Sequence, residues 1–339
     1  MIKKNIIVVL GAPRSGTSAI TRGLKALGID IGDNLTSADL LWNPKGFWED
    51  KDISNSINCG ILKTLDCPWE SLSIINKDDL LDNKLFSLKK LAIELLRQKM
   101  QLHTHWGFKD PRTAKLIPFW QEVFKELQLN DYYIITLRNP LAVALSYQKL
   151  RGFDLITALI LWLMHIIPAI DETQQKKRVI ISFEQMLMNP DLELERIRDF
   201  LQLKEMNFQE LLFYKNQFLD KNFCHYAPSL NDLKNHSVAS MIPLCLEVYE
   251  LLSCHLHNLN SYEFMVDWQK IKIKFDMHYP MYIYLDILLK KNKKLTKDVR
   301  SMQRSFCWNL IYPLRTLEGQ VRKLMQKKRQ KRRIAKGSF

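Results

Sequence analysis

A short apolar run that leads into a glycine-containing loop constrains this chain more than any other feature. Residues 6–10 (IIVVL) are apolar and mostly β-branched, which predicts a strand buried on both faces of a sheet. The loop GAPRSGTS follows, with Gly11 and Gly16 at G-x-x-x-x-G spacing, and residues 18–27 repeat apolar side chains at helical intervals before Gly28. This succession predicts a phosphate-binding loop, because the backbone N–H groups of the loop would surround an anion where the helix begins. The alternative is a tight glycine turn in an ordinary α/β protein.

Further apolar strands alternate with helical patterns, which predicts a parallel sheet with right-handed crossovers. The predicted strands cover residues 105–108, 132–137 and 178–183. The predicted helices cover residues 85–100, 116–127, 141–150, 155–170 and 192–201. We therefore expect an α/β, P-loop-like three-layer fold, in which helices flank a central parallel sheet and a helical C-terminal region begins at about residue 205.

The positive charge of the chain is concentrated at its C-terminal end. The 339 residues carry a formal net charge of +14, yet residues 290–339 alone contain 17 Lys or Arg against two acidic residues. The remaining 289 residues contain 33 basic and 34 acidic residues, so the body of the protein is close to neutral. That balance argues against a domain that binds nucleic acid over its whole surface. We expect one domain over residues 1–290 and a basic amphipathic tail over residues 291–339.

The cysteine and histidine pattern predicts no metal site. The six cysteines include no C-x-x-C pair and have no zinc-type spacing with the eight histidines. Scattered thiols are typical of a reducing compartment, and the start of the chain leads directly into a strand, so we expect a cytoplasmic location. The longest apolar run, residues 155–170, is interrupted by His165 and Pro168 and is shorter than the ~20 residues of a membrane span, so it predicts a buried helix.

The glycine loop differs from that of nucleoside triphosphatases at one position. There a Lys follows the second glycine and reaches the β- and γ-phosphates, whereas this chain has Thr17. This difference argues against a P-loop kinase or nucleotide hydrolase, which stays as the first alternative. Arg14 lies within the loop and can supply positive charge to a short 5′ anionic group instead.

A second anion site is predicted where another strand ends. The strand at residues 132–137 leads into Arg138, and Ser146 follows about two turns along the next helix. Open parallel sheets bind ligands at the carboxyl ends of their strands, and Arg is suited to bidentate contact with phosphate. Together with the glycine loop, this pair predicts a nucleotide that carries two separate anionic groups.

These two motifs resemble those of the sulfotransferase family that uses 3′-phosphoadenosine 5′-phosphosulfate (PAPS), in its bacterial, carbohydrate-type branch. The resemblance rests on GAPRSGTS and LRNPLAVALSY and spans about residues 6–203. It implies that Arg138 and Ser146 bind the 3′-phosphate, and that Phe183, where the family commonly has Tyr, stacks on adenine. It also implies that the 5′-phosphosulfate is bound by Arg14, Ser15, Gly16, Thr17 and Ser18. Residues 205–290 would then lie on the acceptor side.

Two further segments supply candidates for the chemistry of sulfuryl transfer. In NPKGFWED, which resembles a stretch in bacterial members of the family, Glu49 is the candidate base and Asp50 the alternative, with Trp48 drying the site and contacting substrate. The alternative is that Glu49 has no catalytic role and either caps a helix or forms an ion pair at the protein surface. His105 is a further candidate base, because a histidine serves as the base in other branches of the family.

The segment GFKDPR also resembles a family motif. Lys109, with Arg14, would stabilise negative charge on the sulfuryl or bridging oxygen, and Arg112 would bind donor or acceptor. Asp110 would orient Lys109 or Arg112 on the substrate side. The alternative is a structural ion pair in a turn. No metal is required, because cationic side chains can supply the positive charge.

The basic tail predicts a partner of a different kind. Residues 301–325 repeat apolar side chains at helical spacing between basic residues, and KKRQKRR follows, which is typical of a segment that binds an anionic membrane surface. A solvated tail and a polyanion-binding tail stay open as alternatives. We expect a PAPS-dependent sulfotransferase at the inner face of a membrane, with a hydroxyl or amine of a carbohydrate or surface glycan as acceptor and no specific nucleic acid. The second alternative is a non-catalytic membrane- or polyanion-binding protein on the same fold.

Overall fold

The protein is built around four parallel strands. The structure, a computed structural model, describes residues 4–39, 43–220, 226–305 and 308. The strands are β1 (Asn5–Leu10), β2 (His105–Lys109), β3 (Asn130–Leu137) and β4 (Lys177–Ser182), in the spatial order β2-β1-β3-β4. Each neighbouring pair is parallel, with Ile7 of β1 opposite Gly107 of β2 and Tyr132 of β3. The predicted parallel sheet is confirmed.

Helices cover the sheet and form the C-terminal region. They are α1 (Thr17–Gly23), α2 (Cys59–Thr64), α3 (Lys77–Leu80), α4 (Phe86–Lys99), α5 (Ile117–Glu126), α6 (Pro140–Arg151), α7 (Leu155–Asp171), α8 (Phe183–Met188), α9 (Pro190–Phe200), α10 (Phe208–Phe213), α11 (Leu230–Asn235), α12 (Pro243–Cys254) and α13 (Tyr262–Arg304). Short 3-10 segments follow α1 (Leu24–Leu27) and β2 (Pro111–Lys115), and others lie at Asn83–Leu85 and Ala239–Met241. Asp52–Asn58 and Tyr214–Phe218 have π-helical hydrogen bonding. The predicted α/β fold class is therefore confirmed.

The burial of β1 and α7 explains why the sequence pattern identified them. Residues 6–10 are fully buried, as a central parallel strand requires when helices cover both faces of the sheet. Residues 157–170 of α7 are all buried, and Asp154 caps the helix by accepting a hydrogen bond from the backbone N–H of Thr157. No single helix in the described ranges is both long and apolar enough to cross a membrane. Taken together, α6 and α7 are long and apolar enough, but the two helices meet at a bend of 120°.

The ends of several helices follow from local capping. Gly28 has φ 70° and ends the 3-10 turn after α1, as its position in the sequence predicts. Pro140 stands at the start of α6, and the side chain of Asn139 accepts a hydrogen bond from the N–H of Leu141. This cap fixes the direction in which the chain leaves β3, immediately after Arg138.

The chain divides into two compact units after residue 283. The first is Met1–Ile283 and the second is Tyr284–Phe339, and α13 continues from one into the other. In the second unit, residues 284–304 are helical and expose apolar side chains, among them Tyr284, Leu295 and Met302. Most of the predicted tail helix at residues 301–325 and the whole of KKRQKRR lie outside the described residues.

Candidate functional site

All four strands end at one cavity of about 510 Å³. The loop after β1, Lys109 at the end of β2, Arg138 after β3 and Phe183 after β4 all contribute to its wall. It lies at the carboxyl edge of the sheet, where parallel α/β folds bind ligands. The predicted site residues that line it are Arg14, Gly16, Thr17, Ser18, Glu49, Lys109, Asp110, Arg112, Arg138, Ser146 and Phe183.

The glycine loop is packed so closely that a side chain at either of its glycines would collide with the protein. Gly16 has φ 86°, and a Cβ at this position would lie 2.0 Å from the ring of Phe183. Gly11 has φ 144°, and its Cβ would lie 3.0 Å from the carbonyl oxygen of Thr136. Ser15 is fully buried behind the loop, and its hydroxyl has no hydrogen-bond partner among the described residues. The loop is therefore packed tightly between β3 and the ring of Phe183.

Arg14, Arg138 and Ser146 form one cluster, which confirms that the loop and the Arg–Ser pair meet in space. Arg14 Nε donates to Ser146 Oγ at 3.1 Å, and Arg138 Nη1 donates to the backbone oxygen of Arg14 at 2.7 Å. Arg138 is only 6% exposed, and its guanidinium lies 4.8 Å from the centre of the Phe183 ring. Burial, together with the nearby charge of Arg138, lowers the pKa of Arg14. Two guanidiniums held this close create a strongly positive site that favours an anion.

A segment that the sequence analysis did not single out closes this side of the cavity. Arg138 Nη2 donates to the backbone oxygen of Tyr226 at 3.0 Å, and Asn139 Nδ2 donates to the backbone oxygen of Pro228 at 3.0 Å. The contacts join residues about 90 positions apart, so no local pattern could have indicated them. The same two residues that follow β3 thus fix a distant loop at the edge of the site.

Glu49 and Lys109 form an ion pair that also lines the cavity. Lys109 Nζ lies 2.7 Å from Glu49 Oε1 and also donates to the backbone oxygen of Phe47 at 2.8 Å. The Lys109 side chain is 2% exposed and that of Glu49 is 14% exposed, so the pair faces the cavity from a largely dry wall. A carboxylate and an ammonium group side by side can respectively accept a proton and compensate a developing negative charge.

Asp110 orients Arg112 within a buried network. Arg112 Nε donates to both carboxylate oxygens of Asp110, at 2.8 and 2.9 Å, and Asp110 also accepts from Asn58 Nδ2 at 2.8 Å. Burial acts to lower the pKa of Arg112, but the charge of Asp110, the hydrogen bonds to it and the smaller contributions of Cys59 and Glu49 together outweigh burial, so the pKa is raised. Arg112 Nη2 lies 3.9 Å from Glu49 Oε2. The network therefore fixes a permanent positive charge beside the candidate base.

Asp50 lies outside the cavity, although the sequence makes it the alternative base. Its carboxylate is fully buried, with Oδ2 2.7 Å from Lys99 Nζ. Its Oδ1 accepts the backbone N–H groups of Asp52 and Ile53, both at 3.0 Å, at the start of the π-helical segment. Because Asp50 caps this segment and pairs with Lys99, the geometry gives it a structural position and leaves Glu49, of these two candidates, as the one that lines the cavity.

Trp48 also points away from the cavity, which corrects its placement as a substrate contact. Its φ of 57° turns the ring into the protein, where it packs edge-on against Phe218 with centroids 5.7 Å apart. Its Nε1 donates to the backbone oxygen of Lys45 at 2.7 Å. The neighbouring Phe47 lines the cavity in its place. Phe47 and Glu49 both line the cavity, whereas Trp48, in left-handed backbone between them, does not.

His105 lies at the wrong end of its strand for a base. It begins β2, whereas Lys109 ends it, and the cavity lies at the Lys109 end. At about 3.3 Å per residue, four residues separate the two by roughly 13 Å. His105 Nδ1 lies 3.1 Å from Asn5 Nδ2, and burial lowers the pKa of the ring. The structure does not bring His105 to the candidate site.

An aromatic and basic wall near the end of α6 was missed by the sequence analysis. Trp69, Tyr147 and Arg151 all line the cavity. The rings of Trp69 and Tyr147 are near parallel with centroids 6.3 Å apart, and the Arg151 guanidinium lies 5.6 Å from the Trp69 centroid. Tyr147 directly follows Ser146, so its position was predictable, whereas Trp69 carries no local signal. Within the described ranges, no group of three or more His, Cys, Asp or Glu side chains could hold a metal ion.

Comparisons with known proteins come from solved structures alone. No protein-family model matches the chain, and no curated protein sequence matches it. A sulfotransferase domain from the Synechococcus PCC 7002 olefin synthase covers 71% of this chain and 96% of its own length, at 14% identity and a TM-score of 0.37. A sulfotransferase domain from the curacin biosynthetic pathway covers 80% and 99%, at 16% identity and a TM-score of 0.38. The sulfotransferase STF1 from Mycobacterium tuberculosis H37Rv covers 73% and 77%, at 13% identity and a TM-score of 0.34. At these identities and TM-scores, the likeness does not assign a function.

Proposed function

We propose that this protein is a sulfotransferase that moves a sulfuryl group from PAPS to a hydroxyl or amine of its acceptor. One observation carries the proposal: an Arg14–Arg138–Ser146 cluster and a Glu49–Lys109 ion pair line one and the same cavity. The first suits a nucleotide with two anionic groups, and the second suits proton removal from an acceptor. Neither feature alone distinguishes a sulfotransferase from a nucleotide-binding protein, but their juxtaposition favours group transfer.

The residues present fit PAPS. The guanidiniums of Arg14 and Arg138 both line the cavity and lie close enough for the charge of Arg138 to lower the pKa of Arg14 further, after burial, so an anion bound beside them would be stabilised. We assign the glycine loop, from Arg14 to Ser18, to the 5′-phosphosulfate and the pair Arg138 and Ser146 to the 3′-phosphate. Thr17 lines the cavity where a triphosphatase has its Lys, so the loop offers no ammonium group for a γ-phosphate.

Each side chain then has a defined part in the chemistry. PAPS, when bound, supplies the activated sulfuryl group. Glu49 accepts the proton of the acceptor hydroxyl, and the loop holds the phosphate end in line with that hydroxyl. Lys109 and Arg14 supply positive charge to the departing phosphate oxygen. Arg112, fixed by Asp110, keeps the Glu49 carboxylate in an electropositive setting.

Transfer of ³⁵S from PAPS, measured beside ATP turnover with and without Mg²⁺, tests this proposal. We expect transfer of ³⁵S to an acceptor pool without metal and no ATP turnover. Mg²⁺-dependent ATP turnover without sulfate transfer would instead identify a kinase or hydrolase. Tight PAP binding with no transfer to any acceptor in a broad screen would identify a non-catalytic protein.

We propose a carbohydrate or surface glycan as the acceptor class. Support comes from Trp69 and Arg151, which line the same cavity as the reactive residues and bring an aromatic ring and positive charge to its wall. A set of matched acceptors tests it: we expect ³⁵S incorporation into acidic and neutral oligosaccharides, but not into simple phenols. Preference for phenols would overturn the acceptor class and leave sulfuryl transfer intact.

We also propose that the C-terminal segment binds an anionic membrane surface, at the cytoplasmic face. In residues 284–304, apolar side chains such as Leu288, Leu295 and Val299 are exposed, and the chain carries Lys or Arg at many of the other positions. Each basic residue near an anionic leaflet contributes about 1 kcal/mol. Deletion after about residue 283, which removes these side chains together with the basic run that follows them, should abolish sedimentation with phosphatidylserine vesicles and leave PAP affinity unchanged. Persistent vesicle binding would show that the tail is not the anchor.

A further inference from the structure

One face of α1 contacts the turn that carries Glu49 at two points. Ser18 and Arg22 lie four residues apart, so they project from the same face of the helix. Ser18 Oγ donates to the backbone oxygen of Phe47 at 3.0 Å, and the Arg22 guanidinium lies 5.4 Å from the centre of the Trp48 ring. Because α1 begins directly after the glycine loop, the helix that would hold the donor also holds the residues immediately before the candidate base.

Arg22 is a buried cation in an aromatic setting. It is 5% exposed, and its Nη2 forms a 2.6 Å ion pair with Glu210 Oε2. Its guanidinium also lies 4.8 Å from the centre of the Phe213 ring and 5.8 Å from that of Phe218. Cation–π contacts gain strength when the cation is desolvated, and a planar guanidinium stacks on rings in a way that an ammonium group cannot. Arg22 is thus bound firmly on both sides and does not line the cavity.

Trp48 adopts an uncommon backbone conformation that this contact stabilises. A φ of 57° is unfavourable for a large side chain and persists only where the surroundings determine it. The surroundings here are Arg22 over the ring, Phe218 at its edge and the hydrogen bond from Nε1 to Lys45 O. The next residue is Glu49, so the conformation of Trp48 sets the direction from which the carboxylate enters the cavity.

The backbone on the other side of Glu49 is fixed independently. The carbonyl oxygen of Glu49 accepts from Thr36 N at 2.8 Å, and Lys51 N donates to Asn34 O at 2.9 Å. Release of the Trp48 ring would leave the carbonyl oxygen of Phe47, which accepts from Ser18 and Lys109, as an anchor on that side, and would loosen the backbone between it and Glu49. The carboxylate would then move relative to the glycine loop while the fold stays intact.

We propose that Arg22 is a positioning residue: by holding Trp48, it fixes the Glu49 carboxylate relative to the glycine loop, so one helix aligns donor and base. The kinetic part of this inference rests on the proposed sulfuryl transfer. Arg22 acts through Glu49 and touches no reacting atom. If Arg22 had only a structural role, its replacement would change the stability of the protein, and the effect on kcat would not depend on Glu49.

Arg22→Lys tests the coupling, because it keeps the charge beside Glu210 and removes the planar group that stacks on Trp48. We expect kcat to fall by about 10- to 100-fold, since displacement of a reacting group by about 1 Å has effects of that size, with PAP affinity within about twofold. In a Glu49→Gln background, Arg22→Lys should lower kcat by less than about a further twofold, because the base that Arg22 positions is absent. Equal losses in both backgrounds, or a parallel loss of PAP affinity, would overturn the proposal.

Arg196→Lys is the matched control. Arg196 is a partly buried arginine paired with Glu193 at 2.8 Å, and it does not line the cavity. We expect it to lower stability while kcat stays within about twofold, which is how a purely structural arginine behaves. If Arg196→Lys lowers kcat as much as Arg22→Lys does, the effect is not specific and the proposal fails.

Hydrogen exchange provides a readout that needs no activity. In Arg22→Lys we expect the amides of residues 46–51 to exchange at least about 10-fold faster, while those of β1 stay protected. Unchanged exchange in residues 46–51 would overturn the positioning role. A wild-type protein that transfers no sulfate would overturn the proposed function instead, so the two failures are distinguishable.

Discussion

Replacement of Arg138 by alanine should separate the two anion sites. Arg138 is almost fully buried, and it donates to the backbone oxygens of Arg14 and Tyr226 while facing the proposed 3′-phosphate site. A hydrogen bond to a charged group contributes about 1.5–3 kcal/mol. At about 1.36 kcal/mol per decade, Arg138→Ala should weaken PAP binding by about 10- to 150-fold.

A second ligand makes the experiment specific to the 3′-phosphate. Adenosine 5′-monophosphate lacks that group, so its affinity should change far less in Arg138→Ala, and the ratio of the two affinities should fall toward one. Arg138→Lys, which keeps the charge and loses the bidentate fork, should lie between the wild type and the alanine variant. Titration calorimetry measures both ligands.

Two outcomes would refute this reasoning. PAP affinity that is unchanged in Arg138→Ala would remove Arg138 from the site. Equal losses for PAP and the monophosphate would show that Arg138 supports the glycine loop through Arg14 and does not bind a separate phosphate.

Three other substitutions distinguish chemistry from structure. Glu49→Gln should lower kcat by about 10²- to 10⁴-fold and leave PAP affinity within about twofold; near-normal turnover would remove Glu49 as the base. Asp50→Asn breaks the buried ion pair with Lys99, so the free energy of unfolding should fall by about 3–5 kcal/mol. The protein that remains folded should keep its kcat. A large loss of kcat without loss of stability would make Asp50 the base again. Burial, with the charge of Lys115, lowers the pKa of His165 to about 3 in the folded protein. As the pH falls below about 6.5, the unfolded state therefore takes up a proton that the folded state does not, and the protein loses stability between about pH 6.5 and pH 3. Between pH 7 and pH 5 the titration of His165 should lower the free energy of unfolding by about 2 kcal/mol. Urea unfolding at the two pH values should show this loss in the wild type and not in His165→Leu. An identical pH dependence in both proteins would contradict the prediction.

The sheet and its ligand edge were predictable because the signals are local. The β-branched run of residues 6–10 specifies a strand buried on both faces, and the glycine spacing of the following loop specifies its turn. Arg138 follows another such strand, so its place at the carboxyl edge follows from the parallel arrangement. The 3.1 Å contact between Arg14 and Ser146 joins these two local predictions in space.

The sequence predictions are wrong where the direction of a strand or side chain, or a contact between distant residues, determines where a residue lies. His105 could have been excluded from strand direction, since it begins the strand that Lys109 ends. Trp48 and Asp50 both neighbour Glu49, and only the folded backbone, with its positive φ at Trp48, shows that Glu49 is the one of the three that lines the cavity. The contact of Asn58 with Asp110 spans 52 residues and has no local signature.

A crystal structure with PAP bound tests the central claim most directly. We predict the 5′-phosphate within the loop of residues 11–18, the 3′-phosphate against Arg138 and Ser146, and the Glu49 carboxylate facing the space beside the 5′-phosphate. A 3′-phosphate that contacts neither Arg138 nor Ser146, or a Glu49 carboxylate turned away from the 5′-phosphate, would contradict the account.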